Sequence, residues 1–157
     1  MENHSVDLIT VAQAYHWFDH QKFIKEAKRV AEKNATVAIW GYGLTTVNPT
    51  IDEVFMKYYR DILEDYWAPE RRYVENYYEG LPLPFEQVIK EEFSMTKNWN
   101  LDEYLSYLST WSAFQKYLKT NGQNPLDLVR EEFTKTWGNA KERKEVVFPV
   151  FLKLGQI

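Results

Sequence analysis

The chain contains no cysteine, which excludes a disulfide framework and any thiolate metal site. Glycine is scarce and scattered: the six are Gly41, Gly43, Gly80, Gly122, Gly138 and Gly155. None sits in the strand, Gly-rich turn and helix pattern that lets a backbone approach a nucleotide closely, and Gly41-Tyr42-Gly43 reads as a loop pair. There is no apolar run long enough to cross a membrane and no charged-then-apolar leader, so neither spanning nor secretion is expected and the default compartment is cytoplasmic. Positive charge is not in surplus either. Lys and Arg number 19 against 23 Asp and Glu, a net charge of −4, which argues against nucleic-acid binding, since that needs a basic face. His4 and His20 are not read as metal ligands, so no metal site is expected.

What the chain has in quantity is apolar and aromatic side chains. Its 157 residues are 45% hydrophobic and 17% aromatic, with 11 Tyr, 9 Phe and 6 Trp. That length suits one domain with a real core. The aromatic density suits both core packing and the walls of a pocket. The basic residues are interleaved with acidic ones, as in Lys22, Lys25, Glu26, Lys28 and Arg29, the pattern of a solvated helix face.

The most informative stretch is Val6-Asp7-Leu8-Ile9-Thr10-Val11-Ala12-Gln13-Ala14-Tyr15-His16-Trp17-Phe18-Asp19. A β-rich apolar run opens into a polar and aromatic loop. An amphipathic helix follows from Asp19 or His20 to about Lys33, with Phe23, Ala27 and Val30 on one face and Asn34 as a left-handed stop. A second buried strand covers Thr36 to Trp40. Right-handed crossover makes the two strands parallel, and ligands in such sheets sit beyond the carboxyl ends of the strands, here Ala12 to Asp19 and Gly41 to Thr46. Further on, Asn48-Pro49-Thr50 starts a helix to about Leu63. Residues 64–84 lose periodicity, Glu91 to Trp99 reads as a strand, and one helical stretch runs from Leu101 through Phe114 to Asn121-Gly122. Asn124-Pro125 starts another through Trp137. Glu145 to Leu154 closes the chain as a strand expected to pair antiparallel with the one near Glu91.

The segment VDLITVAQAYHWFDHQKFIKEAKRVAEKNATVAIWGYG resembles the fourth strand, following loop and helix, and fifth strand of class I S-adenosylmethionine-dependent methyltransferases, in the small-molecule branch that includes trans-aconitate methyltransferase. Tyr66-Trp67-Ala68-Pro69-Glu70-Arg71-Arg72-Tyr73-Val74 and the aromatic C-terminal half are similar to the same branch. The resemblance implies an α/β fold: the C-terminal part of a Rossmann-like sheet, strands four to seven, with helical lid insertions at 64–84 and 100–140. It departs from the family in lacking the Gly-rich turn and the acidic residue that holds the ribose. Residues 1–157 are therefore expected to be one partial domain without its cofactor-binding half, and to bind S-adenosylmethionine weakly or not at all.

By the same resemblance Ala12, Gln13 and Trp17 lie at the cofactor, and His16 is the catalytic candidate, as a base or as a group that orients the acceptor. Tyr15, Trp40, Tyr42 and Trp111 are expected at the acceptor pocket. Glu70, Arg71 and Arg72 read as a carboxylate-recognition element, since the guanidinium fork of an arginine binds planar carboxylates bidentately. Each has a plainer alternative: His16-Trp17 as a pair packing the loop, the arginines as solvated charge, the aromatics as core. The expected activity is methyl transfer to a small-molecule oxygen acceptor, with a carboxylate as one form of it. The rival is a non-catalytic relative acting as an interaction module. Val6 to Val11 would be a bare edge in this chain, to be covered either by sequence outside it or by another chain, and the isolated chain is expected to self-associate there unless a partner chain completes the sheet.

Overall fold

Residues 1–157 are all described by the computed structural model. Strand β1, Val6–Ala12, leads through a short 3-10 turn at Tyr15–Trp17 to helix α1, His20–Val30, and then to β2, Ala31–Tyr42. Asp19 caps α1 by accepting from the Lys22 N–H, the role its side chain suits. The helix stops at Val30, short of the expected Lys33. Asn34 does take a left-handed φ of 66°, but inside β2. There the β1–β2 register jumps between Val6 opposite Ala31 and Leu8 opposite Thr36, and the extra residues bulge out of the ladder.

The sheet has four strands in the order β1-β2-β4-β3, with β3 at Ile89–Trp99 and β4 at Lys144–Gln156. β1 and β2 are parallel, as the intervening helix requires, with Val11 opposite Ile39 and Ala12 opposite Trp40. β2 and β4 are antiparallel, with Trp40 opposite Leu152. β1 is an edge strand, and Leu8 on it is 55% exposed.

The chain divides into two compact units, Met1–Leu44 with Glu70–Met95 and Phe148–Ile157, and Thr45–Pro69 with Thr96–Val147. The 100–140 segment lies wholly in the second, whereas 64–84 is divided at Pro69. The core of the first unit gathers Val11, Tyr15, Val37, Ile39, Val74, Tyr78, Phe85 and Phe151. Helix α3, Arg71–Glu75, supplies Val74 to it.

The second unit is helical. Helix α2, Pro49–Met56, is capped by Asn48 and runs on as a π-turn through Lys57–Ile62. Helix α4, Leu101–Ser109, begins with a capping box in which Asn100 and Glu103 satisfy each other's backbone N–H groups. The single helix expected through Phe114 is broken: Trp111 adopts an extended backbone and α5 restarts at Ser112–Asn121, ending on Gly122 at φ 65°. The last expected helix begins as a 3-10 turn at Pro125–Leu128 before α6, Arg130–Trp137. Phe55, Tyr58, Tyr104, Phe133 and Trp137 are fully or almost fully buried here.

Candidate functional site

At the carboxyl end of β1 the chain turns sharply, with Gln13 at φ 50°. The Gln13 N–H still donates to the Trp40 carbonyl, 2.8 Å. Its side chain then does what another strand residue would do: Oε1 accepts from the Tyr42 N–H at 2.8 Å, and Nε2 donates to the Tyr42 carbonyl at 3.3 Å. The amide group thus extends the ladder beyond the last parallel pair and fixes the loop that follows. Gly41 makes room for it. A Cβ there would lie 2.5 Å from Gln13 Oε1 and 2.6 Å from Phe151 Cζ, so Gly41 is required by close approach of two side chains.

The 3-10 turn carries Tyr15, His16 and Trp17. Tyr15 is fully buried and donates its hydroxyl to the Pro82 carbonyl; its ring packs on Phe18, Phe23, His20 and Tyr78. Burial pushes its phenol up to about 12. Tyr15 is therefore a core anchor beneath the loop. His16 is 7% exposed, with Nδ1 3.0 Å from the Tyr78 hydroxyl. Trp17 is 57% exposed, and its ring lies 4.7 Å from that of His16.

Burial lowers the pKa of His16, the positive charge of Arg71 lowers it further, and Glu70 acts in the opposite sense. The imidazole is thereby held neutral near neutral pH. Tyr78, raised to about 12 chiefly by burial, keeps its proton as well. With Nδ1 engaged by Tyr78, Nε2 is the ring nitrogen left for another molecule. Arg71 acts electrostatically on both His16 and Tyr78. Arg72 turns elsewhere: it is exposed, its guanidinium lies 4.9 Å from the Tyr73 ring centroid, and it donates to the Tyr73 hydroxyl at 3.1 Å.

Ala12 is exposed at the end of β1, and Trp40 and Tyr42 are half-buried on β2. Tyr42 packs edge-on to Phe148 at 5.8 Å. Trp111 belongs to the second unit, where it packs against Phe55, Tyr58, Tyr59, Trp67 and Tyr107. Among the sequence-derived residues of the first unit, His16, Trp17 and Arg71 are brought together, while Gln13 organises their backbone. Tyr78 was not among them. It lies 62 positions from His16, in a tandem-tyrosine loop at φ 57°; two adjacent tyrosines before a glycine are the one local hint that this loop packs inward.

No protein-family model matches the chain. A Dictyostelium discoideum protein named as a candidate methyltransferase is 32% identical over 158 residues, covering 97% of this chain and 60% of that protein. An uncharacterized methyltransferase of Schizosaccharomyces pombe is 23% identical, covering 96% of this chain and 58% of that protein. The solved structure of a candidate type II methyltransferase from Anaeromyxobacter dehalogenans superposes with a TM-score of 0.89 at 35% identity, covering 99% of this chain and 66% of that one. The chain is similar to methyltransferases over nearly its whole length, and its mixed four-stranded sheet with flanking helices is the fold of the Anaeromyxobacter structure. It spans about three fifths of the length of the curated relatives it matches.

Proposed function

We propose that this chain carries the acceptor side of methyl transfer from S-adenosylmethionine to a small-molecule oxygen acceptor, with a carboxylate as the preferred class. The observation that carries this reading is His16, buried and neutral at the end of β1, with Nδ1 held by Tyr78 and the charge of Arg71 close by. Strand ends of this kind are where α/β folds place their ligands.

S-adenosylmethionine, when bound, supplies an electrophilic methyl group. The residues of this chain fit one side of it. The turn at Ala12 and Gln13 offers backbone at the strand end, while the Gly-rich turn and ribose-binding acid are not among residues 1–157. Transfer to oxygen demands alignment, and a proton acceptor only where the oxygen carries a proton. A carboxylate is already ionised at neutral pH. For that acceptor Arg71 supplies a fork of donors and His16 orients the oxygen through Nε2, with no proton moved. For an alcohol, the neutral imidazole of His16 would have to take the proton.

The test is the full-length protein assayed with labelled donor on a set of small carboxylates and alcohols. The reading expects turnover on a carboxylate with a rate that is flat above neutral pH, and retained residual turnover in His16→Gln. Turnover on alcohols alone, abolished in His16→Gln, overturns the carboxylate assignment. Absence of any transfer favours a second reading, supported by the exposed β1 edge and Leu8: a non-catalytic relative that pairs another strand there.

A further inference from the structure

The outer edge at β3 is independent of the acceptor site. Every residue from Ile89 to Asn98 is exposed, on both faces of the strand. Because side chains alternate along a strand, one face carries Ile89, Glu91, Phe93, Met95 and Lys97. Ile89 and Phe93 are 55% and 56% exposed and Met95 is 40% exposed. β3 ends the sheet order, so one side of its backbone faces no further strand, and of its carbonyls that of Asn98 accepts from the Arg143 guanidinium at 3.0 Å. Long edges with an apolar row recruit another strand unless something blunts them.

The pattern of this strand identifies the occupant. About Ser94 the sequence is complementary to itself read backwards. Phe93 and Met95 flank it at one position on either side, and Glu91 and Lys97 at three. Two copies of β3 laid antiparallel with Ser94 opposite Ser94 bring Phe93 against Met95 and Glu91 against Lys97, twice each, on one face. On the other face Glu92 meets Thr96 and Lys90 meets Asn98. Moving the centre to Phe93 sets Glu91 against Met95, and moving it to Met95 sets Phe93 against Lys97, so the neighbouring registers oppose charge to apolar surface. Within the chain Lys90 is paired to Glu79 at 2.8 Å, whereas Glu91 and Lys97 take part in no ion pair.

We infer that β3 is the homodimer contact of this protein: two copies pair antiparallel about Ser94 and join their sheets across a two-fold axis. Opposed residues have the same parity, so whichever set points its N–H and C=O outward meets its like, and an 11-residue strand gives about ten inter-chain backbone hydrogen bonds. The symmetry is isologous and closed, which limits the assembly to two copies and prevents open-ended stacking at this edge.

Sedimentation velocity on the full chain tests this through charge swaps at exposed positions. The wild type is expected to dimerise. Glu91→Lys and Lys97→Glu each place like charges opposite one another at two symmetry-related positions and should weaken the dimer by about tenfold. Mixed in equal amounts, the two variants should recover association, because the lysine introduced by Glu91→Lys in one chain then lies opposite the native Lys97 position that Lys97→Glu has made acidic in the other. The double variant should recover it as well. Circular dichroism unchanged from wild type confirms that each variant folds. A wild type that stays monomeric at high micromolar concentration, or a dimer that neither single swap weakens, or single-swap variants that fail to rescue each other on mixing, overturns the proposal.

Discussion

Substituting Gly41 by alanine tests the packing that holds the site loop. The added methyl group would sit 2.5 Å from Gln13 Oε1 and 2.6 Å from Phe151 Cζ, both well inside van der Waals contact. Phe151 is buried in the core, stacked with Tyr77 at 4.8 Å and edge-on to Tyr78 at 5.0 Å, so it has little room to retreat. The softer response is for Gln13 to withdraw, which breaks its bonds to Tyr42 and frees the loop carrying His16. Overpacking of this kind costs about 1–3 kcal/mol, roughly 2–12 °C in Tm at this chain length. Gln13→Ala alone should cost a similar ~1–3 kcal/mol, because the half-buried Tyr42 N–H loses its acceptor. The two substitutions share one cause, so the double variant should cost clearly less than their sum. Urea unfolding of the four proteins in the cycle measures this. A neutral Gly41→Ala, or strictly additive losses, would refute the account of Gln13 as a ladder extension that Gly41 admits.

His16 has a folded pKa below its usual 6.5, so its contribution to stability is complete above that pH and declines as the pH falls through the folded value; His16→Asn should flatten this slope in pH-dependent urea midpoints. Arg71→Gln should raise the pKa of His16 and Glu70→Gln should lower it, read by NMR titration of the His16 ring protons; shifts of the opposite sign would place these charges elsewhere. Glu79 is held near 2 by its bonds to Lys153 and Lys90, so its contribution is present above the ordinary 4.5 and lost as the pH falls toward 2; because the carboxylate is exposed, the effect is small, and Glu79→Gln should remove it. The Tyr58 hydroxyl is buried without a hydrogen-bond partner, and Tyr58→Phe should leave stability unchanged or raise it by up to ~1 kcal/mol; a loss of that size would reveal a hidden partner.

The parallel pair and α1 were legible because they rest on local periodicity and a single cap, Asp19. Boundaries were not. Asn34 marks a left-handed backbone as its residue type suggests, but whether it ends a helix or bulges a strand depends on the register with β1, which no local pattern states. The break at Trp111 is likewise hidden, since apolar spacing continues across it. In the site, His16, Trp17 and Arg71 could be named from the resemblance. Tyr15 could not be sorted from them, because two of the groups that fix it, the Tyr78 ring and the Pro82 carbonyl, lie far along the chain. Gly41 looked like half of a loop pair because its necessity arises from Gln13 and Phe151, residues that only the fold brings to it.

Arg71 offers the most direct test of an acceptor site at this strand end. In the full-length protein, the rate of methyl transfer to a carboxylate acceptor should fall by about tenfold to a hundredfold in kcat/KM when Arg71 becomes Gln, the loss that follows from removing a charged, hydrogen-bonded partner of the acceptor, while the folded protein and its His16–Tyr78 contact persist by NMR. An Arg71→Gln variant that transfers methyl groups to carboxylates as fast as the wild type would contradict the assignment of this strand end as the acceptor site.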